Sequence, residues 1–266
     1  MRWFTWGALL LALVLAACGG GSDAPTNSDA SPTVLRASIQ SVQTGIAYGF
    51  YIYLPPGYGK TQRTYPVIYA TDSEYRFGPL SSALQDTQTQ AILINIDATS
   101  SARRWVDFTM PGAAAYFRFL TLELIPMVES AYRVDPKQRI FSGHSLSGEF
   151  AMYALYLDDP ANRAFASIIS EDGSFWCQSD TTCPTTDPLA TSMEQQMHAA
   201  DPQLAVRLVL AGDTTANGPR VTTLYDFFAA RGYTDLRLKS LSYSLGHVAM
   251  DKSAFTDALA FIFANP

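Results

Sequence analysis

The residues from Arg139 to Leu155 constrain this chain more than any other stretch. An apolar run through Ile140 and Phe141 ends at Gly143, Ser145 sits in a corner of small residues, and apolar side chains then recur at Phe150, Met152, Tyr153 and Leu155. That spacing predicts a strand, a sharp turn and a helix packed on a sheet. A serine at such a corner has strained backbone dihedrals that lift its hydroxyl above the sheet edge. The next N–H and the helix N-terminus then face whatever the hydroxyl attacks, which is the pattern of a nucleophile elbow. The usual spacing is Gly-x-Ser-x-Gly, whereas here Ser147 holds the last position and Gly148 follows it. Glycine is favoured there because a side chain would collide with neighbouring backbone, and serine is the next smallest polar residue. An ordinary Ser/Gly turn of a βα unit is the plain alternative, so the remaining chain must decide.

Ahead of the elbow, Val34 to Val42 and Tyr48 to Leu54 alternate like half-exposed strands around Gly45, predicting an antiparallel hairpin at a sheet edge. Tyr65 to Ala70 and the near-continuous apolar run Ala91 to Ile96 read as further strands, the second buried on both faces. Helical spacing covers Ala113 to Tyr132 with an interruption at Pro126. Beyond the elbow, Phe165 to Ser170, Leu204 to Ala211 and Leu236 to Tyr243 read as strands, and Thr191 to Ala200, Val221 to Arg231 and Lys252 to Ala264 as helices. Strands alternating with helices after a hairpin give a mostly parallel central sheet with helices on both faces, an α/β architecture.

The N-terminus has a different character. One arginine among aromatic residues, an apolar run from Ala8 to Leu15 and small residues up to Cys18 predict a secretory signal over residues 1–17, too short to span a bilayer. Leu15-Ala16-Ala17-Cys18 also resembles a bacterial lipobox, which predicts lipidation of Cys18. Residues 18–33 are rich in Gly, Ser, Asp, Pro and Thr and predict a flexible tether, leaving 34–266 as one domain. Gly19 after the cysteine suits an outer-membrane destination, in the periplasm or at the cell surface.

A net charge of −6 offers no polyanion-binding surface, so nucleic acid is not an expected partner. With Cys18 lipidated, the remaining cysteines are Cys177 and Cys183, six positions apart in a loop-like segment outside the reducing cytosol, and they are expected to form a disulfide. Two thiols alone make no metal site.

A parallel sheet places its chemistry at the carboxyl ends of its strands. Of the three histidines, His144 lies inside the elbow pointing away from its neighbour, His198 sits in a polar helical stretch, and His247 follows the last strand. By elimination His247 is the base that Ser145 needs at neutral pH. The imidazole in turn needs a carboxylate. Asp213 follows the strand Leu204 to Ala211 and is the first candidate, with Glu171 and Asp172 at the end of the preceding strand as the alternative. An oxyanion would be held by backbone N–H groups, one from Leu146 and one from the loop Thr71 to Tyr75, with Glu74 as first choice and Ser73 as second. Arg103, Arg104 and Asp107 could orient a polar substrate, and Trp105, Tyr75, Phe77, Phe175 and Trp176 could line an aromatic-friendly cleft; Arg104, Asp107 and Trp176 are the substrate-binding candidates carried forward.

Several segments in order carry a resemblance: Tyr51-Ile52-Tyr53-Leu54-Pro55-Pro56-Gly57-Tyr58, Tyr65 to Tyr69 followed by Asp72, Arg103 to Thr109, Glu123-Leu124-Ile125-Pro126, Tyr132-Arg133-Val134-Asp135, and Gly143-His144-Ser145-Leu146-Ser147-Gly148. Together they resemble the esterase family that includes enterochelin (siderophore) esterases, esterase D and some feruloyl and acetylxylan esterases. The resemblance implies an α/β-hydrolase fold and hydrolysis of small-molecule carboxylic esters through an acyl-serine, with no cofactor. The order Ser145, Asp213, His247 matches that fold, while the family's usual acid position falls on Thr215, and Glu171-Asp172 stands where Ser-Pro is common. A non-catalytic lipoprotein that binds through the same fold, and a serine peptidase or acyltransferase, are the competing expectations.

Overall fold

The computed structural model describes residues 31–175 and 188–264. Eight strands form one sheet: β1 (Thr33–Gln40), β2 (Ala47–Leu54), β3 (Tyr65–Ala70), β4 (Ile92–Ile96), β5 (Val134–His144), β6 (Ser167–Glu171), β7 (Arg207–Asp213) and β8 (Arg237–Tyr243). Their spatial order is β1-β2-β4-β3-β5-β6-β7-β8, antiparallel for β1 with β2 and β2 with β4, and parallel from β4 onward. The expected hairpin, edge position and parallel body are all present.

Alternation along the strands divides the core between the two faces. On β5, Phe141 joins one apolar layer with Tyr69, Phe150 and Phe165, while Ile140 joins the other with Ile68, Leu84 and Leu259. The second layer is covered by α1 (Ser73–Asp86) and α8 (Asp251–Phe263), through Leu80, Ala83 and Leu84 against Phe255, Ala258 and Ile262. The first is covered by α2 (Ser101–Phe108), α3 (Gly112–Phe119), α4 (Ile125–Ala131), α5 (Leu146–Leu157), α6 (Pro188–Ala200) and α7 (Gly218–Ala230).

Two helices were not expected. α1 contains Gly78 and Pro79, and burial of its apolar face against α8 outweighs the proline's missing hydrogen bond. In α2 the run is short and charged, and its start is fixed by Ser100, whose hydroxyl accepts from the N–H of Arg103 at 3.1 Å. Pro126 does not break the segment it was expected to interrupt. A π-helical turn at Leu120–Leu124 joins α3 to α4, and the proline occupies the first turn of α4, where a missing N–H costs little.

Candidate active site

Each residue of interest enters from the carboxyl edge of the sheet. The elbow forms as expected between β5 and α5, with Ser145 at φ 61° and ψ −122°, a conformation that side-chain-bearing residues seldom adopt. Its N–H is tied to the carbonyl of Glu171 at 2.9 Å, and its hydroxyl lies 3.4 Å from that of Ser174. Close approach explains the two glycines. A Cβ at Gly143 would lie 2.0 Å from the carbonyl oxygen of Ser147, and one at Gly148 would lie 2.9 Å from the Cα of Gly173. Ser147 escapes this crowding because its side chain turns toward the β3 loop, donating to Asp72 Oδ2 at 2.7 Å and accepting the N–H of His144 at 3.0 Å.

The loop after β8 brings His247 to the elbow, its ring 4.6 Å from that of His144. The Nε2–H of His144 donates to the carbonyl oxygen of His247 at 2.7 Å, and burial holds the His144 pKa below the usual histidine value. The Nδ1–H of His247 donates to Asp172 Oδ2 at 2.5 Å. With Nδ1 so engaged, Nε2 is the tautomeric position free to accept a serine proton.

Asp213, the first candidate for the acid, does not meet the imidazole. Its Oδ2 accepts the N–H groups of Leu245 and Gly246 at 2.9 and 2.7 Å, and its Oδ1 accepts the N–H and hydroxyl of Thr215. Those hydrogen bonds, the Thr215 hydroxyl foremost, lower its pKa to about 2, and the carboxylate serves to shape the loop that carries His247. The alternative pair is split by the geometry. Asp172 turns to His247 through a left-handed backbone (φ 45°), while Glu171 points beneath the sheet edge into a buried ionic cluster.

The backbone N–H groups expected to hold an oxyanion belong to the first turns of α1 and α5. Ala70 pairs with Ser142 across β3 and β5, so the N-termini of α1 and α5 share one edge. In α1 the first helical bonds run from Tyr75 and Arg76 to the carbonyl of Asp72, leaving the N–H groups of Ser73 and Glu74 ahead of them; in α5 the first runs from Glu149 to Ser145, leaving that of Leu146. The side chain of Glu74 turns away to accept the N–H of Ala98 at 3.0 Å.

Arg104 reaches the site but binds protein: its Nε and Nη2 grip Asp72 at 2.6 and 3.1 Å, so it steadies the loop from which α1 starts. Asp107, the other charged candidate for substrate binding, is instead buried: it accepts the hydroxyl of Tyr48 at 2.8 Å and pairs with Arg103, and burial raises its pKa above the usual carboxylate value. Trp176, Cys177, Cys183 and Cys18 lie outside the described residues. Among the described residues, no group of three or more His, Cys, Asp or Glu side chains could hold a metal ion.

The family model described as Esterase matches residues 41–220. The chain belongs to this esterase family. The ferri-bacillibactin esterase BesA of Bacillus subtilis (strain 168) is 25% identical over 229 residues, 74% of this chain and 78% of the relative. The BES protein from Bacillus cereus superposes with a TM-score of 0.72 at 19% identity, covering 94% of this chain and all of that one. The siderophore hydrolase EstA from Aspergillus nidulans superposes with a TM-score of 0.72 at 17% identity, covering 92% and 98% of the two chains. The fold is therefore that of an α/β-hydrolase, and the protein is a serine ester hydrolase, as the sequence resemblance implied.

Proposed function

We propose that this esterase hydrolyses siderophore or related aryl esters, with Ser145 as nucleophile, His247 as base and Asp172 as the orienting acid. The observation that carries the assignment is the Asp172 to His247 hydrogen bond beside a serine in the strained elbow conformation. The Ser145 hydroxyl proton passes to His247 Nε2 as Oγ attacks the ester carbonyl, and Asp172 stabilises the imidazolium. The N–H of Leu146 and that of Glu74 or Ser73 receive the oxyanion. As the tetrahedral intermediate collapses, His247 protonates the departing alcohol; water, deprotonated by the same imidazole, then releases the acid.

Support for the substrate class comes from the relatives' names and from the rim, where Tyr75, Trp105, Leu245 and Val248 remain exposed on segments adjoining the site. A fluorophosphonate probe should label Ser145 in the folded protein, found by peptide mapping, and Ser145→Ala should abolish both labelling and release of acid from a siderophore trilactone. A labelled enzyme that cleaves short acyl esters but leaves the trilactone intact would remove the substrate assignment and keep the triad.

The lipobox-like Leu15-Ala16-Ala17-Cys18 supports anchoring at a membrane through Cys18, with the domain in the periplasm or at the cell surface. Fatty-acid labelling lost in Cys18→Ser tests that. Thiol titration of the denatured, unreduced protein tests the disulfide between Cys177 and Cys183.

A further inference from the structure

Beneath the reacting groups lies an ionic cluster that the proposed chemistry does not use. Arg76, on the first turn of α1, is wholly buried. Its Nε donates to both carboxylate oxygens of Asp251 at 3.1 Å, its Nη1 to the carbonyl of Ser142 at 3.2 Å, and its Nη2 to the hydroxyl of Ser142 at 2.9 Å and to Glu171. Every partner is the near neighbour of a reacting group. Ser142 lies on β5 just before Ser145; Glu171 adjoins Asp172 and lends its carbonyl to the Ser145 N–H; Asp251 opens α8 one turn after His247. Arg76 itself follows Glu74, a candidate oxyanion donor.

From this geometry we propose that Arg76 is a positioning residue, one guanidinium that fixes the nucleophile strand, the acid strand, the helix that follows the base and the oxyanion helix in mutual register. The proposal rests on Ser145, His247 and Asp172 being the triad. A buried ion cluster is a costly way to hold a fold, because desolvation consumes most of the Coulombic gain and apolar packing would serve as well. What apolar packing lacks is direction. The planar fork of an arginine donates along several fixed vectors at once, which lysine cannot reproduce from a single ammonium. Burial pushes the Glu171 carboxyl up to about 8, against the opposing pull of the guanidinium.

The test compares Arg76→Lys and Asp251→Asn with the wild-type enzyme on a p-nitrophenyl ester, with kcat expressed per active site titrated by the initial burst, so that unfolded protein does not count. Misplacing a reacting group by about 1 Å costs on the order of 100-fold. Arg76→Lys is expected to lower kcat per site about 10- to 100-fold with KM within about twofold, and Asp251→Asn, which keeps the side-chain shape and should fold if Arg76→Lys does not, to lower it about tenfold. Either variant retaining kcat per site within about twofold, or changing KM alone, overturns the proposal. Fluorophosphonate labelling of the wild type keeps the two readings apart: labelled Ser145 with undisturbed variants removes only the role of Arg76, whereas an unlabelled wild type removes the triad and this role with it.

Discussion

The Nδ1 of His247 lies 2.5 Å from Oδ2 of Asp172, while Asp172 Oδ1 accepts the backbone N–H of Asp213 at 2.9 Å. The two aspartates are thus neighbours in one network with different tasks, the first facing the imidazole and the second facing the backbone that carries it. Asp172→Asn replaces the acceptor that fixes the tautomer of His247, and kcat should fall by on the order of 10⁴-fold with the fold intact. Asp213→Asn should leave kcat within about tenfold, since its carboxylate touches only Thr215 and the loop N–H groups. Steady-state kinetics on the two variants decide, and equal losses would reject this division of labour.

Asp213 also ties stability to acid. Its folded pKa of about 2, lowered first by the Thr215 hydroxyl, lies below the ordinary carboxylate value of 3.8. The group therefore contributes stability that is present above about pH 4 and is lost as pH falls toward 2. Urea unfolding at pH 5 and at pH 3 should show a smaller difference in Asp213→Asn than in the wild type.

Ser147 stands where most elbows carry glycine, so a consensus argument favours Ser147→Gly as a stabilising change. The hydrogen bonds argue the opposite. The Ser147 hydroxyl accepts the N–H of His144 and donates to Asp72, joining the elbow to the loop from which α1 starts. Its removal leaves a buried donor without that partner, a cost of about 1–3 kcal/mol. Both Ser147→Gly and Ser147→Ala should lower the thermal midpoint, and kcat/KM should fall with it as the α1 loop loosens. A rise in midpoint for the glycine variant would show that backbone crowding outweighs the tie.

The elbow, the sheet and the place of His247 beside the elbow were legible in the sequence because each is local: an apolar run, a small-residue corner, and a histidine just after a strand. The carboxylate that meets the imidazole was not, because β6 and β7 are adjacent and end side by side, with Glu171 paired to Ala211. Which of Asp172 and Asp213 reaches the imidazole depends on the left-handed turn at Asp172, and its only local signal is the Gly173 that follows. Arg76 was hidden for a different reason: its helix contains Gly78 and Pro79, and an arginine in a segment read as a loop gives no hint of complete burial. Arg104 and Asp107 looked like substrate contacts because charges near a strand end commonly face solvent, whereas here their partners come from distant segments, Asp72 and Tyr48.

Arg104 supplies a further test. Its bidentate grip on the fully buried Asp72 complements the contacts from Ser147 and Tyr75. Arg104→Met retains the aliphatic stem and removes the charge, leaving Asp72 without a cation. Losing one partner of a largely buried pair typically costs about 3–5 kcal/mol, and the partial exposure of Arg104 places this case at or below the lower end. The variant should lose stability by that route and lose kcat more than it raises KM. A rise in KM for anionic esters alone, at unchanged stability, would instead make Arg104 a substrate contact.

Glu171 makes the opposite prediction to Asp213. Burial raises its carboxyl from an ordinary 4.5 to about 8, against the opposing pull of Arg76. Between those values the folded protein retains a proton that the unfolded chain has released, so this group makes folding less favourable as pH rises from about 4.5 to about 8. Glu171→Gln keeps the shape of the neutral acid and cannot ionise. Its stability relative to wild type should therefore increase steadily from pH 5 to pH 8 in urea unfolding, with the two curves running parallel above that. A pH-independent difference would mean that Glu171 ionises in the folded protein as it does in the unfolded chain, and would reject a raised carboxyl.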